Sequence, residues 1–257
     1  VATRLDYVRQ ATGYDETRRA SPSIVAPLAA ALDASRTLVD VGGGTGNYAV
    51  ALRARGCTPT VVDLAPAMLA RARDKGLAVL RADATALPIR TGAVDAVALV
   101  SMLHLVPDWR QALDEARRVL VPGGRLALMV YAREHLRVHW IFEYFPRSRA
   151  WVWPEHQTLA ELCEALPGAR AVPFEFTDLD DASMAALCRR PHLLLDPALR
   201  ARTSYFERLA ARDPDELAHG LERLARDLLR GRRPDVEVAV ARVRYGDGAI
   251  VAWRKPG

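Results

Sequence analysis

Leu38-Val39-Asp40-Val41-Gly42-Gly43-Gly44-Thr45-Gly46-Asn47-Tyr48 is the stretch that decides how this chain is read. A short apolar run breaks into four glycines within five residues, and a helical pattern restarts at Asn47. That succession reads as strand, tight turn and helix. Glycine suits such a turn because it reaches positive φ at little cost and lets a ligand touch bare backbone. Dinucleotide-binding turns follow G-x-G-x-x-G and seat a pyrophosphate on the helix N-terminus. Here the glycines fall at 42, 44 and 46, and Asn47 stands where the last glycine of that fingerprint belongs. Asp40, two residues before Gly42, adds a carboxylate that repels a pyrophosphate and attracts an ammonium. The turn therefore favours a zwitterionic ligand that carries a sulfonium.

On these residues the sequence resembles the class I S-adenosylmethionine-dependent methyltransferases, whose first motif is D/E-x-G-x-G-x-G. Asp40, Gly42, Gly44 and Gly46 match it without a gap. Downstream, residues 58 to 63 read as a second strand ending in Asp63, 17 residues past Gly46. An acid there is placed to accept both ribose hydroxyls, as in dinucleotide folds. The resemblance implies that Leu64 and Met68 pack on the adenine. It also implies that Asp83 accepts the adenine amino group while the Ala84 N–H reaches a ring nitrogen. Residues 95 to 101 form an almost wholly apolar run, as expected for a strand buried on both faces. Ser101 closes it and is grouped with the cofactor contacts, and Met102-Leu103-His104 follows at the edge where doubly wound sheets bind ligands. A helix from about Pro107 to Leu120 and the phrase Arg118-Val119-Leu120-Val121-Pro122-Gly123-Gly124 lead into a fifth strand, 125 to 132. Five alternations of strand and helix with motif residues at successive strand ends most resemble the methyltransferase type 11 group. That group includes ubiquinone- and menaquinone-type C-methyltransferases and many natural-product enzymes.

The fold expected from this resemblance is α/β, a doubly wound Rossmann-like seven-stranded sheet with its last strand antiparallel and a helical lid inserted. Residues 1–35 are expected to form an N-terminal helical cover and 36–134 the S-adenosylmethionine-binding core. Residues 135–235 are expected as the lid and substrate region, including a sixth core strand near 171–176, and 236–257 as the C-terminal strand or strands. Ser21-Pro22 opens a helix, since proline is favoured at the first helical position. The segment Tyr14-Asp15-Glu16-Thr17-Arg18 matches a pattern that folds over the cofactor in the resembling family, so the resemblance pairs Arg18 with the methionyl carboxylate. Residues 235 to 244 read as strand or helix. Their alternation favours strand, with Gly246-Asp247-Gly248 as a hairpin turn.

Of the 23 Phe, Trp, Tyr and His residues, ten fall between Tyr131 and His156, directly after the fifth strand. Aromatic walls with a few polar tips suit a small-molecule pocket, although lid packing accounts for such a cluster equally well. Methyl transfer from a sulfonium is an in-line displacement in which the protein mainly aligns the reacting atoms and excludes water. A base near neutrality helps some acceptors, and histidine is the usual one. His104 has the right address, with His139 and Tyr14 as further candidates.

Composition narrows the remaining classes. The chain has 257 residues and a net charge of +5, from 36 Lys and Arg against 31 Asp and Glu, much of it on mixed-charge helices. Nucleic-acid binding usually needs a clustered basic stripe, so nucleic acid is not the expected partner. No run of 18 apolar residues is present, so no membrane span is expected. The opening residues lack the apolar core of a secretion signal. Cys57, Cys163 and Cys188 fit neither a disulfide framework nor a zinc site, which points to a reducing cytoplasm and no metal. Ser101-Met102-Leu103-His104 stands where amino-methyltransferases of DNA or glutamine carry N/D-P-P-Y/W. The expected function is transfer of a methyl group from S-adenosyl-L-methionine to O, N or C of a small natural-product or quinone-like acceptor. S-adenosyl-L-homocysteine would be the product, and the protein a monomer or homodimer. Two other readings stay open: an RNA methyltransferase, marked by tight and steeply salt-dependent RNA binding, and a binding protein or cyclase that holds the same cofactor without turnover.

Overall fold

The structure is a computed structural model that describes residues 14–33, 35–137, 139–177, 183–201 and 203–257. Its strands are β1 Thr37–Val41, β2 Thr58–Asp63, β3 Ala78–Arg81, β4 Val94–Val100, β5 Leu120–Val130, β6 Arg170–Phe174 and β7 Gly248–Arg254. They form one sheet in the order β3-β2-β1-β4-β5-β7-β6. The first five are parallel, and β7 runs antiparallel between β5 and β6. The order reverses between β1 and β4, and at such a switch point the strand carboxyl ends leave a crevice.

Side chains alternate across the sheet with the period of two that a strand imposes. Leu38, Ala96, Ala98, Ala127 and Met129 meet Ile24, Leu28 and Leu32 of α2 (Pro22–Leu32) on one face. Val39, Val41, Val97, Leu99, Leu126 and Leu128 meet α5 (Trp109–Val119) and α6 (Leu159–Ala165) on the other. Asp108 starts α5 by accepting the Gln111 N–H at 3.1 Å, and the helix buries Ala112, Leu113, Ala116 and Val119 along one stripe. Burying a side chain such as Leu113 contributes roughly 1.5–3 kcal/mol. Before α2 lies a single helical turn, α1 (Tyr14–Thr17), and between β1 and β3 lie α3 (Asn47–Arg53) and α4 (Pro66–Asp74). Of the segment expected to cover the cofactor, α1 sits on the glycine turn, whereas α2 is a layer of the core itself.

A separate apolar cluster builds the lid. Leu136, Trp140, Ile141, Tyr144, Phe145 and Val152 pack with Tyr205, Phe206 and Leu209 of α7 (Ser204–Arg212) and Leu224 of α8 (Pro214–Leu229). Gly220 lets the Phe145 ring against α8, because a Cβ there would come within 2.3 Å of it.

The C-terminal region corrects the sequence reading. Residues 235 to 244 are not a strand: they lie in two short helices, α9 (Pro234–Glu237) and α10 (Ala239–Tyr245). The C-terminal strand content of 236–257 is therefore β7 alone. The reason is visible in the sheet. β5 and β6 take both edges of β7, so no edge is left for a hairpin partner. Gly246, at φ 75°, ends α10 rather than turning a hairpin. Asp247 then accepts the Phe176 N–H at 2.8 Å and pairs with Arg242 and Arg189.

Candidate active site

The glycine turn closes β1 and opens α3 at the switch point. Gly42, Gly44 and Gly46 all have positive φ, at 67°, 56° and 77°. Two of them are also packed tight: a Cβ at Gly42 would lie 2.7 Å from Met102, and one at Gly46 would lie 2.3 Å from Leu77. Gly44 differs, since a Cβ there would find only the Met68 sulfur, at 4.0 Å. Open space over bare backbone is what a ligand needs to touch the turn.

Beneath the turn Asp40 is 1% exposed. Neither of its carboxylate oxygens has a hydrogen-bond partner among the described residues. Burial, reinforced by the charge of Asp63, pushes its pKa up to about 7. A buried carboxylate without donors is costly, and a cationic ammonium would supply both the charge and the donors. The carboxylate lies against Gly43, whose Cβ would fall 2.5 Å from Oδ2. Gly43 occupies a variable position of the motif, so its requirement is set by this packing.

Asp63 ends β2 facing the same turn. It accepts the Gly44 N–H at 3.0 Å on Oδ2 and the Ala65 N–H at 2.8 Å on Oδ1. Burial raises its pKa, opposed by these backbone bonds. Each carboxylate oxygen keeps a lone pair for a ribose hydroxyl. Leu64 is 57% exposed beside it, an apolar side chain left uncovered, while Met68 is buried under Gly44. Asp83 is exposed and accepts both the N–H and the hydroxyl of Thr85 at 2.9 and 2.8 Å. Ala84 packs into the core beside Leu87. A buried carboxylate, an open glycine, a second acid and an exposed apolar side chain thus stand around the turn between β1 and α3.

α1 is fixed to the turn by a network that the sequence did not reveal. Asp15 accepts the Thr45 hydroxyl at 2.6 Å and the Lys75 ammonium at 2.8 Å. Lys75 also donates to the Thr45 carbonyl and to Asn47 Oδ1. Burial alone would raise the Asp15 carboxyl, but Lys75 and Thr45 bring it below its usual value. Arg18 offers its carbonyl to Asn47, and its charge bears on His104. Tyr14 is half-buried at the start of α1, and its carbonyl accepts the Arg18 N–H at 2.8 Å.

Across the crevice Ser101 ends β4 with a left-handed φ of 52° and donates its N–H to the Met129 carbonyl. Such backbone in a non-glycine residue is strained, and the turn it makes delivers Met102 onto Gly42 and His104 to the lid. His104 lies flat on His156, with centroids 4.7 Å apart and planes 10° apart. Nδ1 of His156 is 2.9 Å from the Val152 carbonyl, so it carries the proton there. Burial, then the charges of His156, Arg208 and Arg18, hold His104 well below its ordinary pKa. His139 is pushed to about 3, by burial first and then by His135, Arg242 and His156. His135 joins these three, and burial lowers the pKa of all four. Among the described residues they form no cluster able to hold a metal ion. In the sequence His156 stands only as the last of the aromatic group, since nothing local pairs it with His104.

Known proteins share the sequence pattern and the fold of this chain. A family model described as "Methyltransferase domain" matches residues 39–128. Among curated proteins, the ubiquinone/menaquinone biosynthesis C-methyltransferase of Acidiphilium cryptum is 34% identical over 170 residues, covering 60% of this chain and 65% of that protein. The match thus spans just under two thirds of that relative's length. The protein of the same name from Allorhizobium ampelinum is 30% identical over 183 residues, covering 65% of this chain and 71% of its own. Among solved structures, a protein of Anabaena variabilis assigned as a methyltransferase of an antibiotic biosynthesis pathway superposes with a TM-score of 0.76. It is 24% identical, with 92% of this chain and 98% of that chain covered, and so shares the fold. Motif, topology and relatives together establish that the chain belongs to the S-adenosylmethionine-dependent methyltransferases, in the type 11 group.

Proposed function

We propose that this protein methylates a small, partly apolar aromatic acceptor of the hydroxyquinone kind, held between the glycine turn and the lid. The observation that carries the donor half is Asp40, a buried carboxylate with no donor among the described residues, close to an open glycine backbone. In this reading Asp40 takes the ammonium of S-adenosylmethionine, Asp63 the ribose hydroxyls, Leu64 and Met68 the adenine faces, Asp83 and Ala84 its edge, and Arg18 the carboxylate. Ser101 shapes the turn between donor and acceptor. The bound sulfonium supplies an already activated methyl group, so alignment and exclusion of water are what the chain adds.

For the acceptor half, the support is the address of His104 and the aromatic lid around it. An imidazole kept neutral accepts a hydrogen bond from a ring hydroxyl and thereby feeds electron density to the carbon or oxygen being methylated. Its depressed pKa makes it a stronger orienting group than proton sink. His139, farther under the lid, and Tyr14, on α1, shape the cavity. The relatives are named for C-methylation in quinone biosynthesis, which favours a ring carbon as the target. Incubating the protein with methyl-labelled S-adenosylmethionine and a panel of hydroxyquinols, simple phenols, amines and RNA tests this. Label transfer to a quinol ring carbon is expected, and transfer only to RNA or to none of the panel overturns the reading.

A further inference from the structure

Among the described residues, most of the exposed large aliphatics are concentrated in one stretch. Leu229 at the end of α8, Val236 on α9, and Val240 and Val243 on α10 are 89%, 57%, 85% and 79% exposed. Val240 and Val243 share one face of α10 at helical spacing. Val236 precedes Val240 by four residues across the short break at Val238. The opposite side of α10 is tied down, with Arg242 buried on Asp247 and half-buried Val238 joining the lid cluster. The outward side chains are therefore not a frayed end. The helix carrying them is anchored and turns its valines outward.

Charge on the same stretch is lopsided. Residues 226 to 244 hold six arginines and three acids. Two of the acids, Asp227 and Glu237, are engaged by Arg232, and Asp235 is paired with Arg233. Arg226, Arg230 and Arg244 stand exposed among the aliphatics. An apolar ridge set in arginines matches the chemistry of an anionic bilayer surface, where aliphatic groups enter the acyl boundary and basic groups meet the headgroups. The exposed large side chains of the ridge are all aliphatic, Leu229, Val236, Val240 and Val243. Protein interfaces concentrate their energy in pocketed aromatic and arginine anchors, whereas a fluid apolar phase needs no shape complement. A two-fold contact between copies would set the ridge and its arginines against themselves.

We propose that the ridge of Leu229, Val236, Val240 and Val243 docks this protein on the surface of an anionic lipid bilayer. Lying on a membrane in this way differs from crossing it, and no helix among the described residues is long and apolar enough to cross. The docked helix also backs the lid, since the Arg242 charge on its inner side reaches His139. The inference does not depend on which acceptor is methylated.

The test is co-sedimentation with extruded vesicles of phosphatidylglycerol and phosphatidylcholine, or of phosphatidylcholine alone. The full chain is expected to partition at least tenfold better onto the anionic vesicles, and less well as salt is raised. The triple variant Leu229→Ser/Val240→Ser/Val243→Ser should lose at least tenfold while keeping its thermal melt and its affinity for S-adenosylmethionine. Val172→Ser, at an exposed aliphatic on β6, should change nothing. Three results would overturn the proposal: no preference for anionic vesicles, equal binding by the triple variant, or a concentration-dependent dimer that the triple variant dissolves. Binding to polyglutamate without binding to lipid would do the same, in favour of an acidic protein partner.

Discussion

The imidazoles of His104 and His156 are stacked face to face, 4.7 Å between centroids and 10° from parallel. One ring comes from the edge of the core sheet and the other from the lid, so the pair measures how the two halves are joined. The charge that His156 would carry is, after burial, the largest influence keeping His104 unprotonated. Replacing His156 with Phe keeps an aromatic face and removes that charge. The His104 resonance in a nitrogen-detected titration is then expected to move toward its ordinary range. Methylation should fall by about tenfold through kcat in His104→Ala, the size of one lost orienting hydrogen bond and less than the roughly hundredfold or more usual when a general acid or base is removed. A His104 titration unchanged by His156→Phe would show that the stack has no electrostatic role.

Acid should destabilise the lid. Burial depresses His104, His135, His139 and His156 below the ordinary histidine value. Below about pH 6.5 the unfolded chain binds protons that the folded one refuses, so the stability these groups contribute is present above that pH and drains away beneath it. Melting temperature is expected to fall steadily from pH 7 to pH 5, and His139→Phe should flatten the slope. A flat profile in the parent protein would contradict the burial of these rings.

Asp40 should behave in the opposite sense. Its folded pKa, about 7, lies above the ordinary aspartate value of 3.8, so the folded state holds the proton through that window and stability declines as pH rises across it. Asp40→Asn is therefore expected to stabilise the ligand-free protein at pH 8, by an amount on the order of 1–4 kcal/mol. The same change should cost at least about a hundredfold in S-adenosylmethionine affinity, the scale of one lost charge-assisted contact. Calorimetry of the parent protein should show binding that tightens from pH 6 to pH 8 with release of a proton. Binding insensitive to pH would remove Asp40 from the ammonium site.

Asp63→Ala removes the acceptor for the Gly44 and Ala65 N–H groups as well as the proposed diol contact. The expected loss of S-adenosylmethionine affinity is roughly 1–3 kcal/mol per charged hydrogen bond. Asp63→Asn, which keeps one oxygen acceptor, should fall between. Equal affinity across the three proteins in calorimetry would place the ribose elsewhere.

The Asp15–Lys75 pair ties α1 to the turn. Lys75→Met should leave the global melt within about 1 kcal/mol, as usual for partly exposed pairs. Amide exchange in residues 14–18 should nonetheless rise, and S-adenosylmethionine should bind several-fold more weakly. Unchanged exchange would mean that α1 is held by its other contacts.

The parts of this molecule that could be read from sequence are those whose partners lie close along the chain. The glycine turn, its carboxylate and the acids that end the next strands follow from local strand–turn–helix logic, and the sheet reproduces them. Gly43 was passed over because its constraint comes from the Asp40 carboxylate folding back beneath it. The Asp15–Lys75 bond joins residues 60 apart in sequence, and no spacing rule anticipates such a pair. His104 and His156 likewise lie far apart in sequence and meet only in the folded chain. Residues 235 to 244 deceived for another reason. Alternating valines look like a strand until one knows that both edges of β7 are already occupied.

The buried carboxylate under the turn carries a consequence for the life of the protein in a cell. Because a ligand that binds only the folded chain stabilises it by mass action, resistance to unfolding, and hence to proteolysis, tracks the supply of its sulfonium nucleoside. Scarcity of the methyl donor would shorten the protein's lifetime as well as slow its turnover. Abundance would build up the enzyme at the moment there is most to spend.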